Sequence, residues 1–98
     1  QTAVYADPAP RALPSLNNIA SGAATLATAT GSLTVNQTSD KLIANWNSFD
    51  VGVNSKVTFN QPNTSSIALN RIAGSSPSEI FGRVLANGQL ILVNPTGL

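Results

Sequence analysis

Residues 32–61, SLTVNQTSDKLIANWNSFDVGVNSKVTFNQ, begin and end on runs that share one shape: two apolar positions spaced by one residue, with Asn next. Leu33 and Val35 precede Asn36, Val57 and Phe59 precede Asn60, and the two asparagines lie 24 residues apart. Side chains two residues apart share one face of a strand, so each shape predicts a short strand with one apolar face, stopped by a polar corner. The shape returns at Ile67-x-Leu69-Asn70 and, stretched, at Leu90-x-Leu92-x-Asn94, where the asparagines have the same spacing. A recurrence of this length is what a β-solenoid requires, each turn of chain laying its strands on those of the turn before. Asn suits the corners because it tolerates the left-handed conformation and its amide can bond a stacked copy of itself. A β-sandwich with Asn-rich turns also places strands at about this spacing, but the recurrence favours the solenoid.

Working outward, further short alternating runs are KLIANW (41–46), SFDVGV (48–53), EIFGRVLA (79–86) and QLILVN (89–94). No segment carries the i, i+3, i+4 pattern of a helix for two turns, so the chain reads as all-β. Ala20 to Thr30 is built of small residues, and its threonines favour a strand or edge segment. Asn87-Gly88 between two β-rich runs is a tight-turn signal and predicts an antiparallel hairpin of VLA with QLI. Asn94-Pro95-Thr96-Gly97 predicts another turn, after which the chain reads as cut short with its last strand edge open. Residues 1–14 hold several prolines and are expected to be extended, leaving 15–98 as the domain. Within that segment Val4-Tyr5-Ala6 fits the form that precedes a signal-peptidase cut.

Composition excludes several functions. Only 9% of the 98 residues are charged, the net charge is +1, and Asn, Ser and Thr make up about a third of the chain. The cations Arg11, Lys41, Lys56, Arg71 and Arg83 are scattered and form no stripe for nucleic acid. Without His, Cys or Met there is no imidazole or thiolate metal site, no Ser–His or Cys–His nucleophile and no disulfide framework. Asp40 and Asp50 sit at run boundaries, where solvated turn residues are expected and not a catalytic pair, and no acid cluster of a β-helix hydrolase is present. We therefore expect no enzyme, no cofactor and no metal. Trp46 and Phe49 in NWNSF could form an aromatic binding patch, but a lone Trp in a β-rich domain more often anchors the core. Asn36-Gln37-Thr38 and Asn63-Thr64-Ser65 fit the glycosylation acceptor pattern, which arises by chance in so polar a chain.

The strings LIANWNSFDVG from Leu42, KVTFNQPNTSSIALNRI from Lys56 and SPSEIFGRVLANGQLILVNPTG from Ser76 together resemble the two-partner secretion, or haemagglutination-activity, domain. The likeness is to the high-molecular-weight-adhesin branch of the filamentous haemagglutinin family, and it runs from about Leu13 to Leu98, with RALP (11–14) matching the usual opening. It implies a right-handed parallel β-helix with an N-terminal cap and a short antiparallel extension, in a family domain longer than this chain. It further implies recognition in the periplasm by the POTRA domains of an outer-membrane β-barrel transporter. Export of downstream exoprotein repeats to the surface or medium would follow, with the domain nucleating the helix and touching membrane only through the transporter. By position, Asn45 and Trp46 stand in the family's NW motif, Asn70 and Arg71 in its NR pair, and Asn94, Pro95 and Gly97 in its NPNG motif, where Thr96 departs from the usual Asn. A structural or adhesive solenoid that binds a host surface or self-assembles is the competing expectation.

Overall fold

A computed structural model describes residues 10–73 and 77–95. Among them are eight strands and no helix: β1 (Ser15–Ser21), β2 (Ala24–Ala29), β3 (Ser32–Gln37), β4 (Lys41–Ser48), β5 (Lys56–Asn60), β6 (Ile67–Ile72), β7 (Arg83–Ala86) and β8 (Gln89–Val93). They form two sheets, ordered β1-β4-β6-β8 and β2-β3-β5-β7. From β3 onward the chain alternates between the sheets, and each return is parallel to the strand before it: β3 with β5 and β7, β4 with β6 and β8. Three successive circuits result, β3–β4, β5–β6 and β7–β8. A shorter strip joins the sheets on the remaining side. There Gly52 and Asn54 donate their amides to the carbonyls of Ala12 and Pro10, and Val51 bridges Ile80 in parallel.

Alternation along each strand explains the core. Leu33 and Val35 stack on Val57 and Phe59, and these on Val84 and Ala86. On the facing sheet Leu42, Ala44 and Trp46 stack on Ala68, Asn70 and Ile72. Trp46, Phe49, Val51, Val57 and Phe59 are fully buried, and the rings of Trp46 and Phe49 meet edge to face at 5.1 Å. Side chains of this size contribute about 2–3 kcal/mol each when buried. The two aromatics therefore anchor the interior, as expected of the lone Trp in a β-rich domain.

The antiparallel pairing lies elsewhere than the sequence suggested. β7 and β8 do not pair with each other; each extends the parallel ladder of a different sheet, and Asn87-Gly88 is a corner between sheets. The physical reason is that each run has a longer-range partner with a matching apolar face already in place, so the local turn preference is overridden. The antiparallel hairpin is β2–β3, closed at Thr30-Gly31, and β1 runs antiparallel along β4 with three register shifts. Gly31 supplies the positive φ of that hairpin, while no described residue other than glycine has one, so the corner asparagines act by hydrogen bonding alone. SFDVGV forms no strand of its own: Ser48 ends β4 and Val51 makes an isolated bridge, and Asn70 stacks on Leu92, two residues short of Asn94. The signal-peptidase reading at Val4–Ala6 and the turn residues Thr96 and Gly97 lie outside the described residues.

Gly22, between β1 and β2, also has positive φ (84°), and a Cβ there would run into the carbonyl of Lys41. Gly22→Ala is expected to cost about 2 kcal/mol or more, from the left-handed conformation and the clash together. The change would appear as a lower urea midpoint at unchanged m-value, and an unchanged midpoint would contradict the placement of this corner.

Candidate functional site

The residues singled out by motif meet on β4 and β6, and strand alternation splits them between two faces. Outward, Asn45 stands in register with Asn18 on β1 and Arg71 on β6. Its Nδ2 donates to Asn18 Oδ1 at 2.8 Å, and its Oδ1 accepts from Arg71 Nε at 3.0 Å. One half-buried amide thus links the antiparallel strand to two circuits. Asn60 repeats the device on the other sheet, donating from Nδ2 to Asn36 Oδ1 at 3.1 Å across its matched pair.

Inward, Asn70 is fully buried and its Oδ1 accepts the indole Nε1–H of Trp46 at 2.9 Å. Its Nδ2 donates to the carbonyls of Ala68 and Ile91, each at 3.3 Å. Ala44, its neighbour in the ladder, is small enough to leave room for an amide beside an indole. The side chain therefore ties β4, β6 and β8 together from inside. A buried amide is tolerated because both of its ends are paired, and the indole N–H, which must also find an acceptor, uses the same group.

Asn94 stands apart from these two pairs, just past β8, where its Nδ2 donates to the buried Ser78 Oγ at 2.8 Å. Pro95 is exposed in the turn that follows, and Gly97 lies outside the described residues. Asp40 and Asp50 act as corner acceptors, for Ser66 Oγ at 3.1 Å and the Glu79 amide at 2.9 Å. No three His, Cys, Asp or Glu side chains gather as metal ligands among the described residues. What the site offers is a set of neutral amides and one guanidinium that fix strand register.

Sequence reasoning missed four participants. Asn18 carries no motif. Gln37 and Gln61 are buried corner residues, and Asn87 exchanges two hydrogen bonds with the Gln61 backbone. The signal for the glutamines was present, since both close the same repeated shape and lie 24 residues apart like the asparagines beside them.

Asn70→Leu keeps the branched shape but is larger and cannot accept, so it leaves the buried Trp46 N–H without its acceptor. We expect a loss of about 2–4 kcal/mol, whereas Asn45→Ala on the outer face, half-buried, should cost about 1 kcal/mol. Chemical denaturation followed by Trp46 fluorescence measures both, and equal losses would refute the contrast between the inner and outer ladders.

Comparison with known proteins identifies the arrangement. The TPS secretion domain family matches residues 11–98. The heme/hemopexin-binding protein of Haemophilus influenzae strain Rd is 38% identical over 88 residues, covering 90% of this chain and 10% of that protein. A second Haemophilus influenzae heme/hemopexin-binding protein is 44% identical over 66 residues, covering 67% of this chain and 7% of its own length. The chain thus spans a tenth or less of these curated relatives. The crystal structure of the HMW1 secretion domain from Haemophilus influenzae superposes with a TM-score of 0.79 at 29% identity, covering 85% of this chain and 22% of that one. With its family match, its stacked parallel strands and its motif residues paired between circuits, the chain belongs to the two-partner secretion domain family.

Proposed function

We propose that this domain is the export and folding module of a large exoprotein, and not an enzyme. POTRA domains of a partner outer-membrane β-barrel transporter recognise it in the periplasm, and it leads the chain through the pore. On emergence it nucleates a right-handed parallel β-helix at the cell surface. The observation that carries this reading is the winding itself, in which every circuit after the first is held by register-matched contacts to the circuit before it. Such a fold propagates from one end by nearest-neighbour contacts and needs no distant segment to arrive first. The right hand is the one the family resemblance implies and the one that parallel crossover connections within a sheet take in about 98% of cases. Low charge and the absence of cysteine suit an extended chain in a narrow pore.

Heme or hemopexin binding, which names the curated relatives, is assigned here to the rest of an exoprotein of that length. This chain has no His, Cys or Met, the residues that most often ligate heme iron. The adhesive reading draws support from the exposed apolar side chains Val53, Phe81, Ile91 and Val93.

Export separates the two readings. The domain, joined to its native exoprotein sequence and a reporter, should appear outside the cell only when the cognate transporter is present. Asn45→Ala and Asn94→Ala should lower that yield several-fold, the size of effect that a loss of about 1–2 kcal/mol has on abundance. Equal export without the transporter would overturn the secretion reading and leave the adhesive one.

A further inference from the structure

Gln37 and Gln61 occupy equivalent places, each directly after the corner asparagine of its circuit and each turned inward. Gln61 Nε2 donates to two carbonyls: Ser66 O of its own corner at 3.2 Å, and Gln89 O at the start of β8 at 3.1 Å. Its Oε1 accepts the Gly88 amide at 2.8 Å. Gln37 Nε2 does the same one circuit earlier, donating to Ser39 O at 2.8 Å and Asp40 O at 3.1 Å in its own corner, and to Ile67 O at the start of β6 at 3.2 Å. In both cases the reach is forward, from a corner to the opening residue of the next circuit's second strand. The Asn60 and Arg71 side chains, by contrast, reach back from the later circuit to the earlier one.

The asymmetry has an energetic meaning. Before the next circuit is laid down, each glutamine holds its own corner but lacks its cross-circuit acceptor, and water still reaches it. Laying the next circuit buries the amide and supplies that acceptor in one event, because an amide taken out of water is stable only when paired. Gln37 Oε1 remains buried without a partner, so at that corner the donor side alone makes the tie. In the third circuit the register of β5 with β7 places Gly88 where Gln61 stands in the second. A Cβ at Gly88 would crowd the Ser66 and Asn63 carbonyls and the Gln61 side chain at 2.8–2.9 Å. The place that held a forward-reaching amide now holds a backbone amide that answers one.

We propose that Gln37 and Gln61 are directional staples that lock each circuit to its successor and make the order of winding N-terminal to C-terminal. The inference rests on the reading of the chain as a folding nucleus, and adds to it which side chains impose the order. In a stack with nearest-neighbour coupling, weakening one interface releases only what lies beyond it.

The test is amide hydrogen exchange, resolved by residue, on the full 98-residue chain in solution. Gln61→Leu should speed exchange about tenfold or more at Gly88 and across β8, while β3 and β4 keep their protection. Gln37→Leu should speed exchange in β6 and β8 together and leave β1–β4 protected. Should the Leu variants not fold, Gln61→Asn, which keeps the amide but is one methylene short of Gln89 O, is expected to give the same pattern at smaller amplitude. A uniform rise over all strands, or a larger rise in β3 and β4 than in β8, would overturn the proposal and make the glutamines ordinary core amides. No transporter takes part in this measurement, so its failure leaves the export reading intact, and failure of transporter dependence leaves the staples intact.

Discussion

One buried side chain sets the register of the sheet that carries Asn45, Trp46, Asn70 and Arg71. Asn70 accepts from Trp46 on one neighbouring strand and donates to the Ile91 carbonyl on the other, with no solvent to substitute for either bond. Sliding β6 by one residue along its neighbours would turn Asn70 to the outside and bring Leu69 or Arg71 in. A slip of two residues keeps the same face inward, and an apolar ladder alone would penalise it only weakly, because Leu, Ile and Val substitute for one another with modest cost. A buried amide has no near-equivalent positions, so it converts a preference for some register into a requirement for one. Trp46 then does more than fill volume, since its ring packs on Phe49 and its N–H consumes the amide oxygen.

Elsewhere the stack repeats this division of labour. Apolar side chains between the sheets supply the driving force, while amides supply the alignment: Asn45 and Asn60 on the outer faces, Gln37 and Gln61 at the inner corners. Because none of these groups carries a charge except Arg71, the alignment does not depend on ion pairs and is little affected by salt. Corner lengths are free to vary under this scheme. The corner from Gln61 to Ser66 is a wide turn organised by Asn63, whose Oδ1 accepts from the Ser65 amide and hydroxyl, whereas Asn87-Gly88 turns the chain directly.

The sequence displayed the strands more clearly than their partners. Period-two alternation at Leu33-Val35, Val57-Phe59 and Leu90-Leu92 is a property of single strands and was legible, as was the cross-circuit match of Asn36 with Asn60. The motif residues Asn45, Trp46, Asn70 and Arg71 were also visible, but their division into an outer and an inner pair depends on register, which only the folded sheets fix. The Asn87-Gly88 hairpin failed for a related reason. Its signal is local, and the competing partners of β7 and β8, namely β5 and β6, lie more than twenty residues away. The equal spacing of Asn70 and Asn94 misled in the same way, because a shortened corner between β7 and β8 shifts the register by two residues. The threonines of Ala20–Thr30 marked an edge strand, but its antiparallel pairing was not legible, since β2 is made of Ala, Thr and a single Leu and shows no strong face.

The reversed direction of β1 and β2 has a consequence for how copies of the molecule meet. Two ends of a stack of parallel strands would fit one another head to tail, and each molecule would invite the next into an endless fibre. Here the strands at the N-terminal end run opposite to the rest, and β1 is broken by register shifts, so the open edges of β7 and β8 find no matching parallel template on a second copy. Among the described residues the two ends of the stack are therefore unlike surfaces, one reversed and one parallel.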